Sequence, residues 1–327
     1  MDLPPLVILL AGLVIIILGA ELLLRGATRF AALMGMKPMI IGLTIVAVGT
    51  SMPELAVGIT AAAEGKGSMA IGNIAGTNIF NILFILGLSA AIRRLPLEQL
   101  SIMLDVPVMI AAALVLIAMA WDGVISRAEG FILVAGAILY IIALIRLSKR
   151  ESTALRKEYE EEYGQKALLK RKGTWVALAN IGLLIVGIGL TIFGANLLVA
   201  GAVDIAKILG VSDAVIGLTI LGIGTSAPEL ATTIVATIKD DREVAVGNLI
   251  GSSITNVLFI LGLTCIVAPG GTDVSRDILL VDLPLAAAVA IVCYPVFRSD
   301  KMVSRTEGCA FVGLYIVYFS VLVFFRT

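Results

Sequence analysis

The chain has 327 residues, of which 59% are hydrophobic and 15% are charged, and its 24 Lys and Arg balance 24 Asp and Glu. This composition, with a mean hydropathy of +1.07, excludes a soluble globular domain and indicates a membrane protein. The absence of histidine and the unpaired spacing of the three cysteines disfavour haem, zinc, a histidine proton relay and a disulfide framework, so no resident cofactor is expected.

Ten apolar runs follow one another along the chain, and each is close to the ~20 residues that a membrane-crossing helix needs. They lie at 6–24, 39–63, 68–92, 103–121, 129–148, 175–200, 214–238, 243–268, 278–296 and 307–325. The first run has no basic leader and no obvious cleavage site, so we expect it to be retained as a helix. The fold class predicted from these runs is an all-α polytopic membrane protein with ten transmembrane helices.

Lys and Arg are concentrated in alternate loops between these runs. The loops after the first, third, fifth, seventh and ninth runs hold 19 of the 24 basic residues. By the positive-inside rule, both termini are expected outside the cell and the loops at 25–38, 93–102 and 149–174 in the cytoplasm. This distribution predicts a multi-pass protein of the plasma membrane, in which the charged segment 149–174 is a solvated linker.

The second half of the chain repeats the first. At an offset of 175 residues, Gly42–Ser89 aligns with Gly217–Thr264 without a gap, and 25 of the 48 positions are identical. Because each copy carries five runs, an odd number, the second copy must enter the membrane in the opposite orientation. The sequence therefore predicts two inverted five-helix repeats, at 1–148 and 175–327, an arrangement common in transporters that bind their substrate near the bilayer midplane.

A Gly-Thr-Ser-x-Pro-Glu-Leu motif lies inside a membrane run of each copy. Its polar residues are Thr50, Ser51 and Glu54 in the first copy and Thr225, Ser226 and Glu229 in the second. The proline lacks the N–H that would bond the carbonyl four residues earlier, so the oxygens of Gly49 and Gly224 are expected to be free. The hydroxyls precede the carboxylate by three and four residues and share its helix face. A charge at the bilayer centre costs at least ~2.5–3.5 kcal/mol, so both glutamates are interpreted as functional.

The next run of each copy adds a second set of oxygen atoms. Thr77 and Asn81, like Ser252 and Asn256, are four residues apart, so each pair shares a helix face. We expect these faces to oppose the glutamates, because glycines spaced four residues apart in the same runs permit helices to approach closely.

Carboxylates, carboxamides, hydroxyls and freed carbonyls are hard oxygen ligands that suit calcium and alkali cations. Two carboxylates balance the charge of one calcium ion, whereas sodium ions could occupy the same oxygens in its place. Mutually exclusive occupancy of this kind is a natural basis for exchange. Because neighbouring carboxylates repel each other, protons are also expected to compete at low pH.

Three further acids are interpreted as structural. Glu21 precedes Arg25 by four residues and is expected to form a local ion pair. Asp105 and Asp282 recur in the matching contexts LDVPV and VDLPL, where an acid before a first-turn proline is expected to cap a helix N-terminus.

The paired repeats resemble the calcium/cation antiporter superfamily, specifically its sodium/calcium exchanger branch in the prokaryotic form, over essentially the whole chain. The resemblance implies that Glu54 and Glu229 are the central ligands of calcium and sodium, assisted by Asn81 and Asn256. The further ligands that it implies are the side-chain or main-chain oxygens of Thr50, Ser51, Thr225, Ser226, Thr77 and Ser252 and the backbone oxygens of Ala47 and Gly222.

The resemblance also implies how the protein works. Potassium-dependent relatives tend to carry an acid at the position of Asn256, and proton-coupled relatives show a different motif of the GNATE kind, so potassium-independent exchange of sodium for calcium is expected. The first and sixth helices are expected to slide across the ligand-bearing core. The linker is too short for the calcium-sensing region of eukaryotic relatives. The expected partners are membrane lipid and the transported ions, with no nucleic acid.

Three alternatives stay open at this stage. A proton-coupled exchanger of calcium or other divalent cations would use the same carboxylate pair. An intramembrane hydrolase would need a cationic group for phosphate, yet no Arg or Lys lies in the runs that hold the glutamates. A channel would line a continuous pore with the same oxygens, although channels commonly build selectivity rings by symmetric assembly.

Overall fold

The computed structural model describes residues 4–34, 36–163, 174–210, 220 and 222–326, which are almost entirely helical. The helices are α1 (Pro5–Met34), α2 (Pro38–Thr50), α3 (Met52–Ala63), α4 (Gly67–Ile92), α5 (Ser101–Asp122), α6 (Arg127–Tyr163), α7 (Thr174–Ile208), α8 (Gly222–Gly224), α9 (Ala227–Ile238), α10 (Arg242–Val267), α11 (Ile278–Asp300) and α12 (Arg305–Arg326). Four two-residue strands lie in the connections: β1 (Leu95–Pro96), β2 (Val124–Ile125), β3 (Thr272–Asp273) and β4 (Met302–Val303).

Eight of the described helices are long and apolar enough to cross a membrane, and the bent pair of α2 and α3 adds a ninth span if counted as one. The predicted class, a helical multi-pass membrane protein, is therefore confirmed. The run predicted at 214–238 lies partly outside the described residues, which contain its second part as α8 and α9. The linker predicted at 149–174 is also only partly described, and its first part continues α6.

Helices α4 and α10 form the centre of the molecule. Their apolar windows are 72% and 78% buried, whereas the windows of the other six long candidate spans are 17–39% buried. Each central helix contains a π-helical segment, at Phe80–Leu86 in α4 and Asn256–Leu261 in α10. Segments of this kind are rare and occur frequently at functional sites. Two of the predicted ligands, Asn81 and Asn256, lie within them.

Asp105 and Asp282 do not cap helix N-termini, so that prediction is wrong. Each is the last residue of a π-helical segment, Ser101–Asp105 in α5 and Ile278–Asp282 in α11. Both have helical dihedral angles, φ −69°, ψ −46° and φ −71°, ψ −44°, and neither side chain makes a capping hydrogen bond. Because each helix begins one turn earlier than the Asp-x-Pro pattern suggests, both acids lie inside a membrane-spanning helix.

Glu21 forms the predicted ion pair with Arg25 and also a second one, in which its Oε1 lies 2.6 Å from Nζ of Lys239. Lys239 directly follows α9. The second pair therefore connects α1 with the end of α9, a contact that local sequence spacing does not reveal.

The four strands form two small antiparallel sheets, and each sheet joins the two halves of the chain. Strand β1 pairs with β4, and β2 pairs with β3. By position in the repeats, β1 corresponds to β3 and β2 to β4. Exchanging the two halves therefore converts one sheet into the other.

Helices α1 and α7 cross at glycines, and these contacts are also converted into one another when the two halves are exchanged. A Cβ added at Gly12 would lie 2.4 Å from the backbone nitrogen of Leu198, and one added at Gly187 would lie 2.4 Å from the backbone nitrogen of Leu23. Gly187 and Leu198 stand 175 residues after Gly12 and Leu23. Only glycine permits such close backbone approach between membrane helices.

Candidate functional site

The chain breaks at the same motif position in both halves. Helix α2 ends at Thr50 and α3 begins at Met52, with Ser51 between them at φ −83°, ψ 10° and a bend of 42°. In the second half, Ser226 at φ −86°, ψ 6° precedes α9. The proline in the first turn of each new helix cannot donate to the preceding one, which accounts for the break. Glu54 and Glu229 therefore lie in the first turns of α3 and α9, where helix dipoles favour negative charge.

The two motifs contact each other across the halves. Ser51 Oγ donates to Glu229 Oε1 at 3.2 Å. In the corresponding position, the Glu54 carboxylate lies beside the hydroxyls of Thr225 and Ser226. The two carboxylates are close enough to repel each other electrostatically, and both side chains are fully buried. The structure thus brings the two predicted glutamates together, each facing hydroxyls of the other repeat.

Many oxygen atoms of this site have no hydrogen-bond partner among the described residues. These buried atoms are both carboxylate oxygens of Glu54, Oε2 of Glu229, Oδ1 of Asn81 and Asn256, Oγ1 of Thr225 and Oγ of Ser252. An unpaired buried polar atom costs about 1–3 kcal/mol, and native proteins contain few of them. These seven oxygens, three of which belong to the two carboxylates, form a donor set that fits a cation of the hard, oxygen-preferring kind.

The other predicted ligands lie around these atoms. Ser226 Oγ donates to Thr77 Oγ1 at 3.4 Å, so Thr77 of α4 faces the second motif. Thr50 Oγ1 donates to Asn248 Oδ1 at 3.2 Å, and the Ala47 carbonyl accepts the backbone N–H of Ser51 at 3.1 Å. These groups are already hydrogen-bonded, but each oxygen keeps a further lone pair.

Gly222 lies in α8, one helical turn before Thr225. This is the position in the second half that corresponds to Ala47 in α2.

Two asparagines that sequence reasoning did not single out connect the site. Asn248 Nδ2 donates to the hydroxyls of Thr232 and Thr233 at 3.1 and 3.2 Å, while its Oδ1 accepts from Thr50. The signal was present in the sequence, because Asn248 stands four residues before Ser252 and shares its helix face.

Asn78 joins the two central helices. Its Nδ2 donates to the Ser253 carbonyl at 3.1 Å, and its Oδ1 accepts from Asn256 Nδ2 at 3.2 Å. Ser253 is the repeat counterpart of Asn78, so this contact lies where the two copies meet. Because the amide nitrogen of Asn256 is held by Asn78, its oxygen is left for the site.

Replacing Asn248 with alanine is expected to raise the cation concentration for half-maximal binding by about tenfold. The change removes the acceptor that fixes Thr50, and lost buried hydrogen bonds cost about 1–3 kcal/mol. Calorimetric titration of the purified protein with calcium measures the effect. Asn73→Ala is the matched control, since Asn73 is the repeat counterpart and its Nδ2 has no partner among the described residues. Equal effects of the two substitutions would contradict this positioning role.

A cavity of about 1070 Å³ extends from the site to the first turn of α4. Its walls include Pro53, Thr77 and Thr225 at the inner end and Ser68 and Asp282 nearer the helix ends. Among the described residues, no atom lies within 4 Å of a Cβ added at Gly76.

Helix α10 packs closely against α2 at two glycines. A Cβ added at Gly251, the repeat counterpart of Gly76, would lie 2.7 Å from Cα of Leu43 in α2, and one added at Gly247 would lie 2.5 Å from the Met39 carbonyl oxygen. The residues of the second half that correspond to Met39 and Leu43 lie outside the described residues.

Comparisons with known proteins agree with this geometry. The family described as "Sodium/calcium exchanger protein" matches residues 4–146 and 179–324. The putative antiporter CaxA of Alkalimonas amylolytica is 37% identical over 96% of this chain and 98% of its own length. The sodium/calcium exchanger MaX1 of Methanosarcina acetivorans is 28% identical over 96% of this chain and 97% of its own. The structure of the sodium-calcium exchanger NCX_Mj superimposes with a TM-score of 0.82 and 26% identity, covering 97% of this chain and 98% of that one.

Proposed function

Since the chain belongs to the sodium/calcium exchanger family, whose members are membrane antiporters, we propose that it exchanges sodium ions for calcium ions at the site between α3, α4, α9 and α10. The observation that carries the proposal is the group of buried, unpaired oxygens around Glu54 and Glu229. Two carboxylates match the charge of one calcium ion. Sodium ions use the same class of oxygen ligand, so either ion satisfies these atoms and excludes the other.

The ligand set that we propose has two layers. Glu54 and Glu229 hold the cation at the centre, and Asn81 and Asn256 complete its coordination from the π-helical segments. The outer ligands are oxygens of Thr50, Ser51, Thr225, Ser226, Thr77 and Ser252, with the backbone oxygens of Ala47 and Gly222.

We further propose that the chain forms ten transmembrane helices in two inverted repeats, 1–148 and 175–327, joined by the linker 149–174. Exchanging the two halves converts the sheet of β1 and β4 into the sheet of β2 and β3, which supports this arrangement. The glycine contacts between α1 and α7 are matched in the same way. With both termini outside the cell and the linker in the cytoplasm of a plasma-membrane protein, the cavity opens to the exterior. The site lies near the midplane, because both motifs break their helices in mid-run.

We expect alternating access to come from a movement of α1 and α7 relative to the central helices α4 and α10, which carry Asn81 and Asn256. The crossing of α1 and α7 is the contact across which such a movement would slide.

A proton-coupled exchanger is the second candidate function, and one observation favours it. The Glu54 carboxylate is fully buried, has no hydrogen-bond partner among the described residues and lies close to Glu229. A proton would remove the repulsion between the two groups, as a cation does.

The test separates the two candidates. Purified protein in sodium-loaded liposomes is diluted into sodium-free medium, and uptake of radiolabelled calcium is followed. We expect uptake at least about tenfold above that of sodium-free liposomes, because outward sodium movement supplies the driving force. The same experiment with an imposed proton gradient and no sodium should give only background. Uptake driven by the proton gradient alone would replace sodium coupling by proton coupling.

A further inference from the structure

A second cavity, of about 540 Å³, shares no lining residue with the candidate site, and the proposed exchange does not use it. Its walls are almost entirely basic, since the lining residues are Arg93, Arg94, Asp240, Arg242 and Arg305. Four positive charges therefore meet one negative charge in a single concavity. Like charges held together in this way repel each other, and an anion placed between them removes the repulsion.

Three parts of the chain bring these arginines together. Arg93 and Arg94 directly follow α4, Arg242 is the first residue of α10, and Arg305 is the first residue of α12. Strand β1 begins directly after Arg94, and its partner β4 ends two residues before Arg305. The pairing of β1 with β4 therefore places two arginines of the first half beside arginines of the second.

The protein compensates only part of this charge. Oδ1 of Asp240 lies 3.2 Å from Nη1 of Arg93 and 2.8 Å from Nε of Arg242. Nη1 of Arg242 also donates to the Arg94 carbonyl at 3.1 Å. The guanidinium groups of Arg94 and Arg305 have no hydrogen-bond or ion-pair partner among the described residues. These two groups are available to a ligand.

The duplicated fold does not itself require the cluster. Three of its four arginines correspond to uncharged residues of the other copy, which are Ala268, Pro269 and Gly67. The fourth, Arg305 at the start of α12, corresponds to Arg127 at the start of α6, and Nε of Arg127 donates to the Ala268 carbonyl at 2.8 Å. The same backbone is thus built elsewhere without these charges, so they serve something other than folding.

The cavity lies at the depth of the lipid headgroups. The membrane-spanning part of α4 ends just before it, and those of α10 and α12 begin at it. Ile92 and Ile238, which directly or closely precede Arg93 and Asp240, are 37% and 58% exposed, so apolar surface continues beside the arginines. Basic pockets between membrane helices bind phosphate-bearing headgroups, and the guanidinium fork matches two phosphate oxygens at once.

We propose that this cavity binds the headgroup of an anionic phospholipid. Arg94 and Arg305 contact the phosphate, while Arg93 and Arg242 add positive charge around it. Because these residues come from both halves of the chain, the bound lipid holds the halves together beside the sheet of β1 and β4. The inference does not rest on ion exchange, since both its argument and its test concern lipid binding.

The test uses Cys309 as the labelling site. Cys309 is exposed and stands one helical turn after Arg305, whereas Cys265 and Cys293 are buried. The full-length protein, labelled with a fluorophore, is reconstituted in phosphatidylcholine vesicles that contain small fractions of phosphatidylglycerol with brominated, quenching acyl chains. We expect brominated phosphatidylglycerol to halve the fluorescence at a fraction at least about tenfold lower than brominated phosphatidylcholine does.

Two double variants separate a site from a general attraction to basic loops. Arg94→Gln/Arg305→Gln should remove the preference for phosphatidylglycerol, a loss of at least about tenfold, because each basic residue near an anionic surface contributes about fivefold. The matched control is Arg29→Gln/Arg146→Gln, which removes two exposed arginines expected on the same membrane side but outside the cavity. It should change the preference less than about twofold, since salt screens exposed charges. Equal losses in the two variants would overturn the site.

Two other occupants are distinguished in the same assay. If millimolar inorganic phosphate restores the fluorescence, the cavity binds a free anion and the lipid proposal is wrong. The linker carries the acidic residues Glu160, Glu161 and Glu162 and is expected on the same membrane side. If replacing all three with glutamine strengthens quenching about tenfold or more, the linker itself occupies the cavity, which also overturns the proposal. We expect neither change to alter the quenching.

Discussion

Replacing Glu54 with glutamine is expected to reduce calcium transport at least ~100-fold. Both oxygens of this buried carboxylate lack partners among the described residues, and the neighbouring Glu229 supplies only one further negative charge. Removing one member of a buried set of charges costs about 3–5 kcal/mol, which corresponds to at least ~100-fold in affinity. Radiolabelled calcium uptake into liposomes and calcium titration of the purified protein measure the two consequences.

The control for this substitution is Glu64→Gln. Glu64 follows α3, its side chain is 52% exposed, and it pairs with Lys66 at 2.7 Å. Exposed pairs contribute about 0–1 kcal/mol, so this variant should transport calcium normally. Glu229→Gln is expected to match Glu54→Gln, because the two residues occupy corresponding positions. Near-normal transport by either site variant would show that calcium is held elsewhere.

Replacing Gly187 with alanine is expected to abolish most transport and to lower the midpoint of thermal unfolding by about 5 °C or more. The added Cβ would lie 2.4 Å from the backbone nitrogen of Leu23 and 2.6 Å from its Cα. Backbone atoms cannot rotate away as a side chain can, so α1 and α7 must separate. Overpacking of this kind typically costs about 1–3 kcal/mol.

The matched control lies on the same helix. Gly189 stands two residues further along α7, is exposed, and has no described atom within 4 Å of an added Cβ. Gly189→Ala introduces the same methyl group and should leave both unfolding and transport unchanged. If the two variants behave alike, the close crossing of α1 and α7 is not required for folding or for transport.

The sequence predicted that Glu54 and Glu229 lie together, and the structure brings them together. Four-residue spacing and the duplication selected Glu54 and Glu229 together with residues of the following runs, because helical periodicity places such residues on one face. The contact between Ser51 of one repeat and Glu229 of the other was not predicted from the sequence and is seen only in the structure. Asn78 and Asn248 were also missed, and their contacts with Ser253 and Thr50 span 175 and 198 residues of the chain.

The helical setting of two acids could not be read from the pattern. Asp105 and Asp282 precede first-turn prolines in the manner of capping residues, but a π-helical segment extends each helix before the acid, and no local propensity rule predicts such a segment.

The pairing of β1 with β4, and of β2 with β3, bears on the origin of the molecule. Each sheet takes one strand from each half, and α1 and α7 contact each other at matched glycines. Every such contact becomes its counterpart when the halves are exchanged. With the inverted topology proposed above, an ancestral gene encoding a single half would have produced a dual-topology homodimer with both sheets already complete. After gene fusion, the two descendants would have been free to diverge, so that one linker and an unequal distribution of charge could evolve without losing the shared interface.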